Sequence, residues 1–235
     1  MIPSALNRLH RSPAALCAAL ILCTAAMLTA GSASAGRIAG DPVDPGAVSE
    51  WTTDSVVTIL LTAVADLGVF DEVRFAIDDA SFGEWLPLVP SQTVQLPKHD
   101  GAHVIHIQLA STLLDAGEPG SPDDPLELDV STILDTLGPV TLAPQALSAA
   151  SGGRATLRFV VRDALSPTAQ ARVRVANLAG KTVSVVKLGE VPTGRAVSRS
   201  IAVKLPPGRY RYRVMATDLA GNAQRKAGAN DLIVR

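Results

Sequence analysis

The chain has 235 residues, a formal net charge of minus 1, 47% hydrophobic residues and only 3% aromatic ones. That apolar content excludes a chain kept unfolded by its own polarity, and the near-neutral total excludes a uniformly basic nucleic-acid coat. The two cysteines, Cys17 and Cys23, both lie near the N-terminus, so the body of the chain holds neither a disulfide framework nor a thiolate metal site.

Met1 to Ala35 reads as a secretory signal peptide. Arg8, His10 and Arg11 give a positive start, the run AALCAALILCTAAMLTA follows, and Ala33-Ser34-Ala35 supplies a small-x-small cleavage site. Cleavage there removes both cysteines. The bulky Leu22 before Cys23 argues against a lipid anchor, and the apolar run is shorter than the ~20 residues a membrane helix needs. No second apolar segment of that length follows, so no transmembrane segment is expected after cleavage. Residues 36–47 read as a linker.

Beyond the leader the overall charge hides a division. Gly36 to Leu137 holds 3 basic residues against 18 acidic ones, net minus 15, whereas Gly138 to Arg235 holds 16 against 4, net plus 12. Halves of opposite sign attract each other or attract different partners. In the acidic half, DSVVTILLTAVAD, FDEVRFAID, GEWLPLVP, QTVQLP and GAHVIHIQLA alternate or run apolar over strand lengths, with Gly, Asp and Pro between them. STLLDAGEPGSPDDP, Ser111 to Pro125, reads as an exposed acidic loop.

In the basic half the period of two is clearer. RATLRFVVRD places Ala155, Leu157, Phe159 and Val161 on one face, QARVRVANL places Val173 and Val175 there, and GRYRYRVMATD turns Tyr210, Tyr212, Val214 and Ala216 inward and Arg209, Arg211 and Arg213 outward. KTVSVVKL, AVSRSIAVK and ANDLIVR supply further strands. Many short strands without intervening helical periodicity predict an all-β chain: two tandem sandwiches, 48–137 acidic and 138–235 basic, after the signal peptide.

ATDLAGN follows the clean strand GRYRYRV and sits where a hairpin needs residues tolerant of positive φ. YRVMATDLAGNAQ resembles the last hairpin of bacterial immunoglobulin-like domains, whose repeats end in a strand and a D-x-x-GN turn. Leu157 to Arg235 as a whole is similar to the Ig-like repeats of secreted bacterial proteins. VADLGVFDEVRFAIDDASFGEWLPL and STILDTLGP resemble, more loosely, the repeat start and the L-D-T-x-x-P junction between repeats. After His106 the first half departs from the pattern, because the acidic loop stands where a D-x-x-GN turn would be. The resemblance implies an Ig-like fold, a Trp85 placed in the core, and adhesion, spacing or attachment in place of a reaction.

Candidate sites are few. Asp163, ending one strand, is expected at the same end of a sandwich as Asp218, so Asp163, Asp218 and Asn222 are the best-placed group for calcium. Only two carboxylates are expected to converge there and no EF-hand spacing occurs, so the residues are read as turn structure, with no metal or cofactor expected. KHDGAHVIH holds three of the four histidines, but His103 and His106 point to opposite faces of a strand, and His103 is expected to pack inward with Ile105 and Ile107. No G-x-S-x-G elbow, H-E-x-x-H pair or Gly-rich phosphate loop occurs, and no enzymatic activity is expected.

Arg158, Arg172, Arg174, Arg211 and Arg213 alternate outward on predicted strands and are the candidate polyanion contacts. Their partner is expected to be an envelope polymer or another exported protein, without specific nucleic-acid recognition, at a secreted, periplasmic or cell-surface location. The other readings are self-association head to tail through the opposite charges, and a tether for a partner enzyme.

Overall fold

The computed structural model describes residues 49–62, 68–143 and 145–235. The expected signal peptide, residues 1–35, and linker, residues 36–47, lie outside them. Contacts divide the described chain into two compact units: Thr58–Val94 with Val104–Val130, and Ser49–Val57 with Gln95–His103 and Ser131–Arg235.

Short apolar-alternating segments become strands throughout, as their period of two requires. In chain order these are β1 (Trp51–Thr52), β2 (Val56–Leu60), β3 (Glu72–Ile77), β4 (Leu86–Pro87), β5 (Ser91–Gln95), β6 (Gly101–Ala110) and β7 (Leu126–Leu134). There follow β8 (Val140–Leu142), β9 (Leu147–Ala149), β10 (Arg154–Arg162), β11 (Thr168–Asn177), β12 (Thr182–Pro192), β13 (Ala196–Ala202), β14 (Gly208–Thr217) and β15 (Gly228–Val234). Among the described residues no helix is long and apolar enough to cross a membrane.

In the first unit β3 pairs antiparallel with β6, from Glu72 opposite Ala110 to Ile77 opposite Ile105, and β4 adds to the start of β3. Val73, Ile105, Ile107 and Leu109 are fully buried. GEWLPLVP yields only the two-residue β4, since its two prolines leave few backbone donors for a ladder. The acidic loop is exposed along most of its length but anchored at its ends: Ser111 N donates to the Gly120 carbonyl at 2.8 Å, and Ser111 and Ser121 are buried. Trp85 departs from its expected core position. It is half-buried, with the Arg74 guanidinium 4.2 Å from its ring centroid, and Arg74 Nε in turn donates to Gln108 Oε1 at 2.7 Å. A guanidinium is costly to take fully out of water, so the cation stacked on the indole keeps that ring near the surface.

The second unit carries two sheets, one ordered β13-β10-β8 and the other β12-β11-β14-β15-β9. Their inward residues meet in one core: Leu157, Phe159 and Val161 of β10, Val173 and Val175 of β11, Tyr212 and Val214 of β14, and Leu232 and Val234 of β15. A sandwich follows from these two apolar faces, each of which must be covered. Tyr212 is fully buried and donates its hydroxyl to the Gln145 carbonyl. Thr141 is fully buried as well, donating to the Val214 carbonyl at 2.7 Å and accepting from Gly228 N at 2.8 Å.

Candidate functional site

Two features of the second unit stand out from its scaffold. The first is basic. Arg172 and Arg174 project from β11 and Arg211 and Arg213 from β14, because their sequence neighbours Val173, Val175, Tyr212 and Val214 take the buried face. Arg174 stands directly opposite Arg213 in the β11–β14 register. Like charges paired across strands destabilise by a few tenths of a kcal/mol to about 1 kcal/mol. Arg174 Nε is held by Thr182 Oγ1 at 2.6 Å, while Arg209, beside this group, reaches Asp231 Oδ2 at 3.3 Å.

Among the described residues no carboxylate forms an ion pair with Arg172, Arg174, Arg211 or Arg213. Arg174, Arg211 and Arg213 line an open groove of about 410 Å3 together with Asn177, Leu178 and Asp231. The structure thus brings these three together, leaves Arg172 one pairing step along β11, and separates Arg158. That residue is exposed on β10, in the other sheet, opposite Ser198.

The second feature is acidic, and lies at the strand ends. β10 is followed at once by Asp163 and β14 by Asp218, and the two carboxylates lie at one end of the sandwich, as expected. The D-x-x-GN segment is a turn, also as expected. Asn222 N donates to Asp218 Oδ1 at 2.7 Å, Asp218 N to the Asn222 carbonyl at 3.2 Å, and Gly221 takes φ 95°. Asp163 Oδ1 likewise accepts from Leu165 N and Ser166 N, at 3.0 and 2.8 Å, and caps its own turn.

The expectation that only two carboxylates converge is corrected by a third, Asp135, which follows β7 just as the others follow β10 and β14. Asp135, Asp163 and Asp218 each place an oxygen within 4.8 Å of the other two. Asp135 is 2% exposed. Its Oδ1 accepts from Leu137 N at 3.1 Å, while its Oδ2 is buried without a hydrogen-bond partner among the described residues. Burial pushes the Asp135 carboxyl above the usual aspartate range. The like charges of Asp163, Asp218 and Asp100 add to that push, and the Leu137 N–H opposes it. Asn222 joins the group through Nδ2, which donates to the Asp135 carbonyl at 2.8 Å and to Asp218 Oδ2 at 3.0 Å. The signal that could have found Asp135 is its place in sequence: three alternating strands each end in an aspartate.

His103 is buried, as expected, with its ring edge-on to His99 at 4.7 Å, and the half-exposed His106 bonds Asp129 at 2.6 Å.

No protein-family model matches the chain, and no curated protein matches it. Among solved structures it is similar to a tetra-tandem repeat from the extending region of a large adhesion protein, at 15% identity and a TM-score of 0.34, over 79% of this chain and 48% of that one. It is also similar to a Salmonella alpha-2-macroglobulin mutant, at 10% identity and a TM-score of 0.31, over 81% of this chain and 16% of that one. A third similarity is to the calcium-binding domain CBD12 of CALX1.1, at 11% identity and a TM-score of 0.28, over 77% and 92%. The chain therefore spans about half the length of the first and a sixth of the second. Similarities this low assign neither an activity nor a partner.

Proposed function

We propose that the chain is an exported, non-catalytic protein of two tandem Ig-like sandwiches, 48–137 and 138–235, whose basic domain holds an anionic partner at the cell envelope. The observation that carries the reading is the direct pairing of Arg174 with Arg213 across β11 and β14, beside Arg211, in a groove where, among the described residues, Asp231 supplies the only carboxylate. An anion seated between the paired guanidiniums would turn a repulsion into charge-assisted hydrogen bonds. Export is supported by the leader-like first 35 residues. A bacterial Ig-like module is supported by the D-x-x-GN turn and by the two-sheet core of the second unit. Wall polymers and lipopolysaccharide have the chemistry such a groove would take up.

The test is co-sedimentation of the purified chain with envelope material at low and at high salt. Binding at low salt, released at high salt and lost on Arg213→Glu, is the expected result. A chain that ignores the envelope at both salts would remove this function. The charge division between residues 36–137 and 138–235 favours a second reading, head-to-tail self-association. It predicts particles that form without envelope material and dissociate as salt rises.

A further inference from the structure

We propose that Asp135, Asp163 and Asp218 form a calcium-binding site. Oxygens held about 2.4 Å from one calcium ion can stand no more than about 4.8 Å apart, and the three carboxylates meet that limit pairwise. That limit is necessary for a shared ion, and small side-chain rotations would bring the three oxygens to calcium distance without moving the backbone.

Convergence of acids alone would not assign a ligand, because Asp163 and Asp218 have turn-capping work that explains their positions. Asp135 supplies the independent observation. The residue is 2% exposed, yet among the described residues Oδ2 has no donor. A buried, unpaired carboxylate oxygen is costly, and native structures supply such an atom with a donor, a water or an ion. Among the described residues no lysine or arginine forms an ion pair with any of the three acids.

An all-oxygen set selects a hard cation over zinc, whose sites are built on nitrogen and sulfur. The irregular, partly solvated arrangement suits calcium better than magnesium, which demands a near-ideal octahedron. Asn222 can complete the set. Its amide already bridges the Asp135 carbonyl and Asp218 Oδ2, and half a turn about the terminal torsion would present its oxygen in place of its nitrogen. Water fills the remaining positions. Three carboxylates on three separate segments give a site that exists only in the folded chain, so binding must stabilise the fold.

The inference does not rest on the basic groove and is tested without an envelope partner. The purified full chain is stripped with chelator, then titrated with calcium or with magnesium by calorimetry, and melted with and without each ion. One calcium per chain is expected, with a dissociation constant of about 10⁻⁴ to 10⁻³ M, as in extracellular modules, and a raised melting temperature. Asp135→Asn should weaken binding at least tenfold. In chelator it should melt no lower than the parent, since it removes one of three crowded charges. Asp163→Asn, at the least buried of the three positions, should weaken binding similarly and carries the test if Asp135→Asn fails to fold. No calcium heat and no melting shift up to about 5 mM calcium, well above the expected range, would overturn the site, as would variants that bind like the parent. An equal response to magnesium would overturn the choice of calcium.

Discussion

Gly138→Ala tests the packing on which the strand-end aspartates depend. A Cβ at Gly138 would lie 2.0 Å from the Ala223 carbonyl oxygen and 2.8 Å from its carbon. Non-bonded heavy atoms rest at about 3.5 Å or beyond, so the segments must part by more than about 1 Å. Three of the hydrogen bonds between them lie beside the clash: Arg225 N to the Pro139 carbonyl at 2.8 Å, Thr141 N to the Lys226 carbonyl at 2.9 Å, and Arg225 Nε to the Gly138 carbonyl at 2.8 Å. At about 1 kcal/mol each, their loss costs about 3 kcal/mol, a large share of the 5–15 kcal/mol that holds a typical domain folded. Urea unfolding should show that loss in the midpoint, and hydrogen exchange should show protection vanishing first at Thr141 and Arg225. A variant within about 0.5 kcal/mol of the parent, with both amides still protected, would refute the close approach.

Tyr212→Phe keeps the buried ring but removes the donor to the Gln145 carbonyl. Because Gln145 is itself exposed and its carbonyl can turn to water, the expected loss is only about 1 kcal/mol, measurable by urea unfolding. In the first unit, Thr112 holds Asp71 through its hydroxyl and through its N–H at 2.8 Å, and the hydroxyl contact leads in keeping the Asp71 carboxyl below the ordinary aspartate range. A depressed folded value means that this contribution is complete above the unfolded pKa of about 3.9 and is lost as pH falls through the folded one. The stability difference between parent and Asp71→Asn should therefore be constant at neutral pH and shrink below about pH 4.

The strands of the second unit were legible because their alternation is strict. In β10, β11 and β14 every residue expected to face inward is buried except Tyr210, which is half-buried at the strand's start. What alternation could not supply is which strands share a sheet. Arg158 and Arg174 carry the same outward signature, yet β10 and β11 belong to opposite sheets, so the five arginines do not form one stripe. Asp135 was hidden for a related reason. It falls before the change of charge at 137/138 and was counted among the acids of the first half, whereas its carboxylate meets residues 28 and 83 positions further along the chain. Local pattern sets the direction of a side chain, and only the long-range pairing sets its neighbours.

The distribution of acids within the second unit bears on both sites. Ser131–Arg235 contains five carboxylate residues, and three of them are drawn into the strand-end cluster, leaving Glu190 and Asp231 to offset the arginines. The groove and the cluster are also far apart. Along β14 the path from Arg213 to Asp218 is five residues, about 17 Å at the rise of an extended strand. That is twice the screening length of about 8 Å at physiological ionic strength. An ion in the cluster therefore changes the potential at the groove very little through solvent. If both proposals hold, the two would act as separate devices, one holding strand ends together and the other presenting guanidinium groups without a carboxylate partner. A cation in the cluster would relieve the crowding of its carboxylates without drawing on the groove's positive charge. A fold with so few acids in this segment can in this way concentrate three of them at one end and still leave the β11–β14 face open to an anion.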